Sequence, residues 1–162
     1  MKKGELVVLG AIGLLVAAGV IRAIVQKPSE RDREIPFYST APGELASSAT
    51  DLVRKYSCRQ CHSLWTTRSP LQAVPAPMLD GIGSLRTEEW LFAYLSAANP
   101  QSILPSRLKP EYRMPSYAGL SEAERRTLAS YLASLQVKDW YLEQTRRLEH
   151  DKLTGESTAE NK

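Results

Sequence analysis

The run Cys58-Arg59-Gln60-Cys61-His62 sets two thiols and an imidazole within five consecutive residues. Thiols three positions apart project from one helical turn, and the imidazole on the next residue stands beside them. That order has the C-x-x-C-H form of a covalent haem attachment site. The thiols reach the two vinyl groups of one porphyrin edge as thioethers, and His62 reaches over the iron as its proximal ligand. Rival chemistries fit less well. Cys58 and Cys61 are the only cysteines among 162 residues, too few for a disulfide framework or a cysteine-only zinc or iron–sulfur site. A thioredoxin-like dithiol needs a βαβ pattern around it, and none is present. A structural zinc would lack a fourth ligand, since the second histidine, His150, stands far along the chain among Arg146, Arg147, Glu149 and Asp151.

An iron held by His62 leaves a sixth position, for which this sequence offers His150 or a methionine. His150 reads as a solvated surface residue. Met1 belongs to the N-terminal tail, and Met78 lies close after His62 within Pro75-Ala76-Pro77-Met78-Leu79. Met114 sits in Tyr112-Arg113-Met114-Pro115-Ser116-Tyr117, between two amphipathic segments. Pro115 stiffens the loop that must hold a sulfur in place. Met114 is the favoured ligand, against a gap-filling role in the core.

Four helices must position these groups. In Gly43 to Tyr56, Leu45, Ala49, Leu52, Val53 and Tyr56 recur at spacings of three and four, which predicts one buried face. Thr87 is an N-cap signal with Glu88 and Glu89 behind it, opening a helix with Trp90, Leu91, Tyr94 and Leu95 that Asn99-Pro100 stops. Ser121-Glu122-Ala123-Glu124 has the capping-box pattern before Leu128, Tyr131, Leu132 and Leu135. A last helix is expected from Asp139 to Gly155. Residues 63–86 and 101–117 carry several prolines and read as loops. No strand alternation stands out. The expected fold is all-α, with residues 43–137 as the core domain and 138–162 as a helical extension and tail. A domain of that size is marginal alone, and a buried porphyrin would supply an apolar centre.

Ahead of it, Leu6 to Val25 is apolar apart from Arg22. Twenty helical residues span about 30 Å, the thickness of a bilayer core, so residues 1–25 are expected to form a transmembrane anchor. A signal peptide cut near Val16-Ala17-Ala18 is the alternative, but apolar residues continue past that site. Residues 26–42, charged and with Pro28, Pro36 and Pro42, read as a tether. The net charge is +3; Lys2, Lys3 and Arg22 against Glu5 supply +2 of it, leaving 18 basic and 17 acidic residues from position 23 onward. That balance argues against a nucleic-acid partner.

These motifs, in this order, resemble the class I cytochromes c over about residues 43–137. Besides C-x-x-C-H, Ala76-Pro77-Met78-Leu79 is similar to that family's Gly-Pro-x-Leu loop, with alanine for the usual glycine. Trp90 to Leu95 resembles its middle helix, Arg113-Met114-Pro115 its distal-ligand loop, and Leu120 to Leu135 its last helix. The resemblance implies a small cytochrome c helical fold around one covalent haem c, with His62 and Met114 as axial ligands. It implies that the Pro77 carbonyl accepts a hydrogen bond from the distal ring nitrogen of His62. Leu79, Tyr94 and Leu95 would belong to the haem pocket, Tyr94 either near the methionine or in ordinary core packing. It also implies single-electron transfer and no catalysis by the chain itself. Small-ligand catalysis or redox sensing, with Met114 labile, is the alternative.

Haem is attached to such motifs on the outer side of the bacterial cytoplasmic membrane, so the domain is expected there, single-pass and periplasmic. Arg22, Lys27, Arg31 and Arg33 follow the span and only Lys2 and Lys3 precede it, so the positive-inside rule leans the other way; the resemblance outweighs it. Expected partners are redox proteins or other subunits of a respiratory complex. Arg59, Arg107, Lys109 and Arg113 predict a basic rim that would steer an acidic partner. Trp140, Tyr141, Leu148 and Leu153 on the extension would either dock on a neighbour or fold back on the haem domain.

Overall fold

The computed structural model describes residues 3–25, 34–67, 74 and 76–155. They form two separate compact units, divided between Ile35 and Pro36. What the sequence leads one to expect of residues 1–2, 26–33, 68–73, 75 and 156–162 lies outside the described residues.

The first unit holds helix α1, Lys3–Val25. The side chains described along it, Gly4 and residues 10–22, are all exposed, Leu14 and Leu15 at 75% and 73%. Among the described residues no helix is long and apolar enough to cross a membrane. Residues 10–22 cover only about 20 Å at 1.5 Å per residue. The apolar run in the sequence continues past them at both ends, so the expected crossing rests on the sequence.

The second unit is mostly helical. Helix α2 spans Gly43–Lys55, α3 Glu88–Ser96, α4 Glu122–Ser134 and α5 Asp139–Thr154. Helix α4 packs against both α2 and α3. The core is Ala49 and Val53 of α2, Leu91 and Leu95 of α3, Leu128, Ala129, Tyr131 and Leu132 of α4, together with Leu64 and Leu135. These are the helical faces that the three-and-four spacing marks out. Burying each such leucine stabilises the fold by about 2 kcal/mol.

The caps follow the sequence. Thr87 accepts the Trp90 N–H at 3.2 Å. Ser121 and Glu124 bond reciprocally, Glu124 N–H to Ser121 Oγ at 3.2 Å and Ser121 N–H to Glu124 Oε2 at 3.1 Å. The other Glu124 oxygen accepts from Lys55 Nζ and Tyr56 OH, both at 2.8 Å, which ties the end of α2 to the start of α4. Helix α3 stops at Ser96, before Asn99-Pro100; the Ala97 backbone is already extended, and its carbonyl accepts from Ser116 Oγ at 2.7 Å.

Strands also form, where the sequence predicts none. Strand β1, Phe37–Ser39, pairs antiparallel with β2, Leu135–Val137, in the register Phe37↔Val137, Tyr38↔Gln136 and Ser39↔Leu135. Lys138 N–H to Pro36 O at 2.8 Å and Thr40 N–H to Ser134 O at 3.0 Å extend the ladder at both ends. Pro36 to Thr40 thus packs onto the domain. Three-residue strands are too short to show alternation, and their partners lie almost a hundred residues apart.

Candidate functional site

Helix α2 delivers the chain to the C-x-x-C-H run. Ser57 takes a left-handed conformation, φ 55°, and breaks the helix. A tight 3-10 turn at Cys58–Gln60 follows, in which the Cys58 carbonyl accepts from Cys61 N–H at 3.3 Å and His62 N–H at 3.0 Å. The turn brings both thiols and the imidazole into the wall of one cavity of about 430 Å³. Its apolar walls include Val53, Leu79, Leu91, Leu95, Leu128 and Leu132.

His62 Nδ1 lies 2.7 Å from the Pro77 carbonyl oxygen. A carbonyl can only accept, so Nδ1 carries the proton and Nε2 keeps its lone pair for a metal. Burial holds the His62 pKa down, against the upward pull of that bond, which favours the neutral imidazole a metal requires. The Pro77 segment is itself fastened to the stretch after His62. Leu79 N–H bonds Ser63 O at 3.0 Å. Asp80, 3% exposed, accepts from Trp65 N–H at 2.6 Å and Thr66 N–H at 3.2 Å. Trp65 and Thr66 both have positive φ, 56° and 55°, a costly pairing for residues with side chains, and the carboxylate holds it. Burial pushes the Asp80 carboxyl up, and these two N–H groups pull it back.

Helix α3 contributes Tyr94 and Leu95 to the lining. Tyr94 stacks on Trp90, ring centroids 5.1 Å apart, and both rings line the cavity; burial raises the Tyr94 phenol. Met114 lines the cavity from the loop before α4, and Met78 lines it from the Pro77 segment. The Met114 carbonyl accepts from Gln101 Nε2 at 3.0 Å. Tyr117 lies against Tyr56, ring centroids 6.2 Å apart. Its phenol is pushed up to about 12, chiefly by burial and then by Cys58 and Cys61. Burial also raises the Cys58 thiol.

All eight residues expected at the site, Cys58, Cys61, His62, Pro77, Leu79, Tyr94, Leu95 and Met114, line this one cavity. His150 does not; it is exposed, 3.9 Å from Asp151. The basic residues Arg59, Arg107, Lys109 and Arg113 are exposed. Arg113 Nε donates to Leu108 O at 2.8 Å. Sequence reasoning missed Gln101, Tyr117 and, on α5, Glu149, Asp151 and Lys152, which line the cavity beside Leu153, for which folding back was one of two expectations. Gln101 and Tyr117 carry no motif. The ion pair of Glu149 on α5 with Arg86, 63 residues earlier, has no local signal either.

The residues present fit a covalently held haem. The walls are largely apolar, two thiols stand a turn apart in them, and the neighbouring imidazole has one nitrogen fixed and the other free to ligate. A family model described as Cytochrome c matches residues 47–136. Neither the curated proteins nor the solved structures yield a match to the chain.

Proposed function

From the premise that the chain belongs to the cytochrome c family, and so binds haem c covalently and serves haem-based electron transfer, we propose that it is a membrane-anchored one-haem electron carrier working outside the cytoplasmic membrane. It serves as a tethered shuttle or as a subunit of a respiratory complex. The observation that carries this reading is the bond from His62 Nδ1 to the Pro77 carbonyl, in the same cavity as both thiols and Met114. Haem c supplies a one-electron couple at its iron. Cys58 and Cys61 fasten it as thioethers, and Pro77 aims the His62 ring and keeps its ligating nitrogen deprotonated.

Met114 completes the coordination. Met78 is the weaker candidate, because it follows the residue that holds the outward nitrogen of His62 and so belongs to the histidine side. A histidine–methionine pair leaves no open position for substrate and raises the potential over two histidines. The largely apolar walls limit reorganisation when an electron arrives. The exposed Arg59, Arg107, Lys109 and Arg113 steer an acidic redox partner. The twenty-residue run from Leu6 to Val25, apolar apart from Arg22, with exposed leucines, valines and isoleucines along α1, favours an anchor in lipid.

Absorption spectra of the ferric and ferrous protein test the reading. The expected result is a c-type reduced spectrum with the ferric charge-transfer band of methionine sulfur on iron. Haem present without that band, with fast carbon monoxide binding, would replace the carrier by a ligand-binding or sensing protein. Alkaline-carbonate washing of membranes tests the anchor: the full chain stays with the lipid, and a chain lacking residues 1–25 is released.

A further inference from the structure

Helix α5 lies beyond the family-matched residues 47–136, yet it forms part of the cavity wall. Three contacts hold it there. Phe37 and Tyr141 meet edge to face with ring centroids 5.6 Å apart. Arg107 Nη1 donates to the Thr154 carbonyl, just before Gly155 ends the helix at φ 76°. Arg86 Nη2 and Glu149 Oε1 form an ion pair at 2.9 Å, with side chains only 22% and 15% exposed. Tyr141 and Leu153 therefore turn inward, while Trp140 and Leu148 stay exposed at 40% each. Of the two fates open to the extension, the structure has it folded back.

The Arg86–Glu149 pair is unlike the surface pairs of this protein. Both partners line the haem cavity, and the Arg86 guanidinium also lies over the Trp90 ring, 5.0 Å from its centroid. Arg86 is thus held from below by an aromatic face and from the side by a carboxylate. The other charged groups on that wall are Arg107, Asp151 and Lys152. On α5 itself Arg146 and His150 are exposed neighbours in sequence. From the strand side, Lys138 and Asp139 stand at the far end of the helix, about 15 Å away at 1.5 Å per residue. Arg86 is the partner that faces Glu149 directly.

We propose that Glu149 is a potential-setting residue, which neutralises Arg86 at the haem pocket and couples electron uptake to proton uptake. The inference rests on the haem reading above. Adding an electron to the pocket adds negative charge, which an ionised Glu149 opposes and the Arg86 cation favours. When the domain accepts one electron from its donor, Glu149 takes up part of a proton from solvent; when it passes the electron on, the proton returns to solvent. The change of charge at the pocket is then partly compensated, and the midpoint potential falls as pH rises through the Glu149 titration. Burial shifts that titration upward, with Arg86 pulling it back.

The test is potentiometry of the full-length holoprotein against pH, for wild type, Glu149→Gln and Glu149→Asp. Glu149→Gln is expected to raise the potential at neutral pH, towards the acid limit of the wild type, and to flatten the pH dependence. The ferrous-to-ferric ratio at a fixed applied potential then changes by a factor of a few to about ten, as expected of one partly screened unit charge. Glu149→Asp restores the slope. If Glu149 only latches the helix, Glu149→Gln opens the pocket to water and lowers the potential, which overturns the proposal. An unchanged potential and slope overturn it too, assigning any pH dependence to other groups such as the haem propionates. Should Glu149→Gln fail to fold, redox-difference infrared spectra of wild type labelled with 13C-glutamate decide. A label-sensitive carboxyl band that changes on reduction supports the proposal, and its absence rejects it. Failure to find covalent haem at all would sink the haem reading instead.

Discussion

Gly83→Ala should cost this protein a large share of its stability. Gly83 sits in the 3-10 turn Ile82–Ser84, which packs against the end of α4 and against β2. A Cβ there would lie 2.0 Å from the Ala133 carbonyl oxygen, 2.5 Å from its carbon and 2.7 Å from Gln136 Nε2. The Gln136 amide can rotate away only by breaking its own bond to the Ala133 carbonyl, 2.7 Å from Nε2. The Ala133 carbonyl cannot, because it belongs to the last turn of α4, whose Leu128, Tyr131 and Leu132 are core. The turn must therefore retreat by about 1 Å to reach the closest contacts that real side chains tolerate. That retreat strains Ser84 Oγ, which donates to Gln136 Oε1 at 2.8 Å and accepts from Val137 N–H at 3.0 Å. Overpacking costs about 1–3 kcal/mol, and two hydrogen bonds add about 1 kcal/mol each. The sum is roughly 3–5 kcal/mol, out of the 5–15 kcal/mol typical of a domain.

Guanidinium denaturation of the ferric holoprotein, followed by far-ultraviolet circular dichroism, measures it. With a slope of about 4 kcal/mol per molar, the midpoint falls by about 1 M. Gly119→Ala is the control, since nothing lies within 4 Å of the added carbon, and its midpoint should stay put. A Gly83→Ala midpoint within about 0.2 M of wild type would show that the turn does not bear on α4 as described. Ile82 and Arg86 line the cavity, so the same variant should also broaden the haem spectrum.

Met114→Ala should leave haem attached while lowering the midpoint potential and admitting carbon monoxide to the ferrous protein; unchanged potential with no carbon monoxide binding would move the sixth ligand elsewhere. Replacing Cys58 and Cys61 together by Ala should let haem be extracted by acid and organic solvent from the denatured chain, which the wild type resists; retention would reject the thioethers. Glu124, held down to about 2 by Lys55, then Tyr56 and Ser121, has a folded pKa below the ordinary carboxylate value near 4.3. Its contribution is therefore full above that value and is lost as pH falls towards 2. Glu124→Gln should remove this part of the acid slope of the denaturation midpoint, and an unchanged slope between pH 6 and 2 would count against the Lys55–Tyr56–Ser121 cluster.

The local chemistry was legible in the sequence because it is written in neighbouring residues. Cys58, Cys61 and His62 belong to one turn, so their spacing alone states what they can hold. Thr87 and the Ser121–Glu124 box announce helix starts through bonds that span three residues. The helical faces of α2 and α4 follow from a period of 3.6, which any stretch longer than two turns displays. The features without a sequence signal lie between distant segments. The β1–β2 ladder joins three residues to three others across the whole domain, below the length at which alternation shows. Gln101 grips the Met114 carbonyl, and Asp80 pins the left-handed pair Trp65-Thr66, through side chains with no pattern of their own. The fate of α5 was open in the sequence, since its apolar residues suit a partner or its own domain equally. Tyr141 and Leu153 are drawn inward by Arg86, Arg107 and Phe37, which come within reach of Glu149, Thr154 and Tyr141 only when the chain has folded, while Trp140 and Leu148 stay exposed.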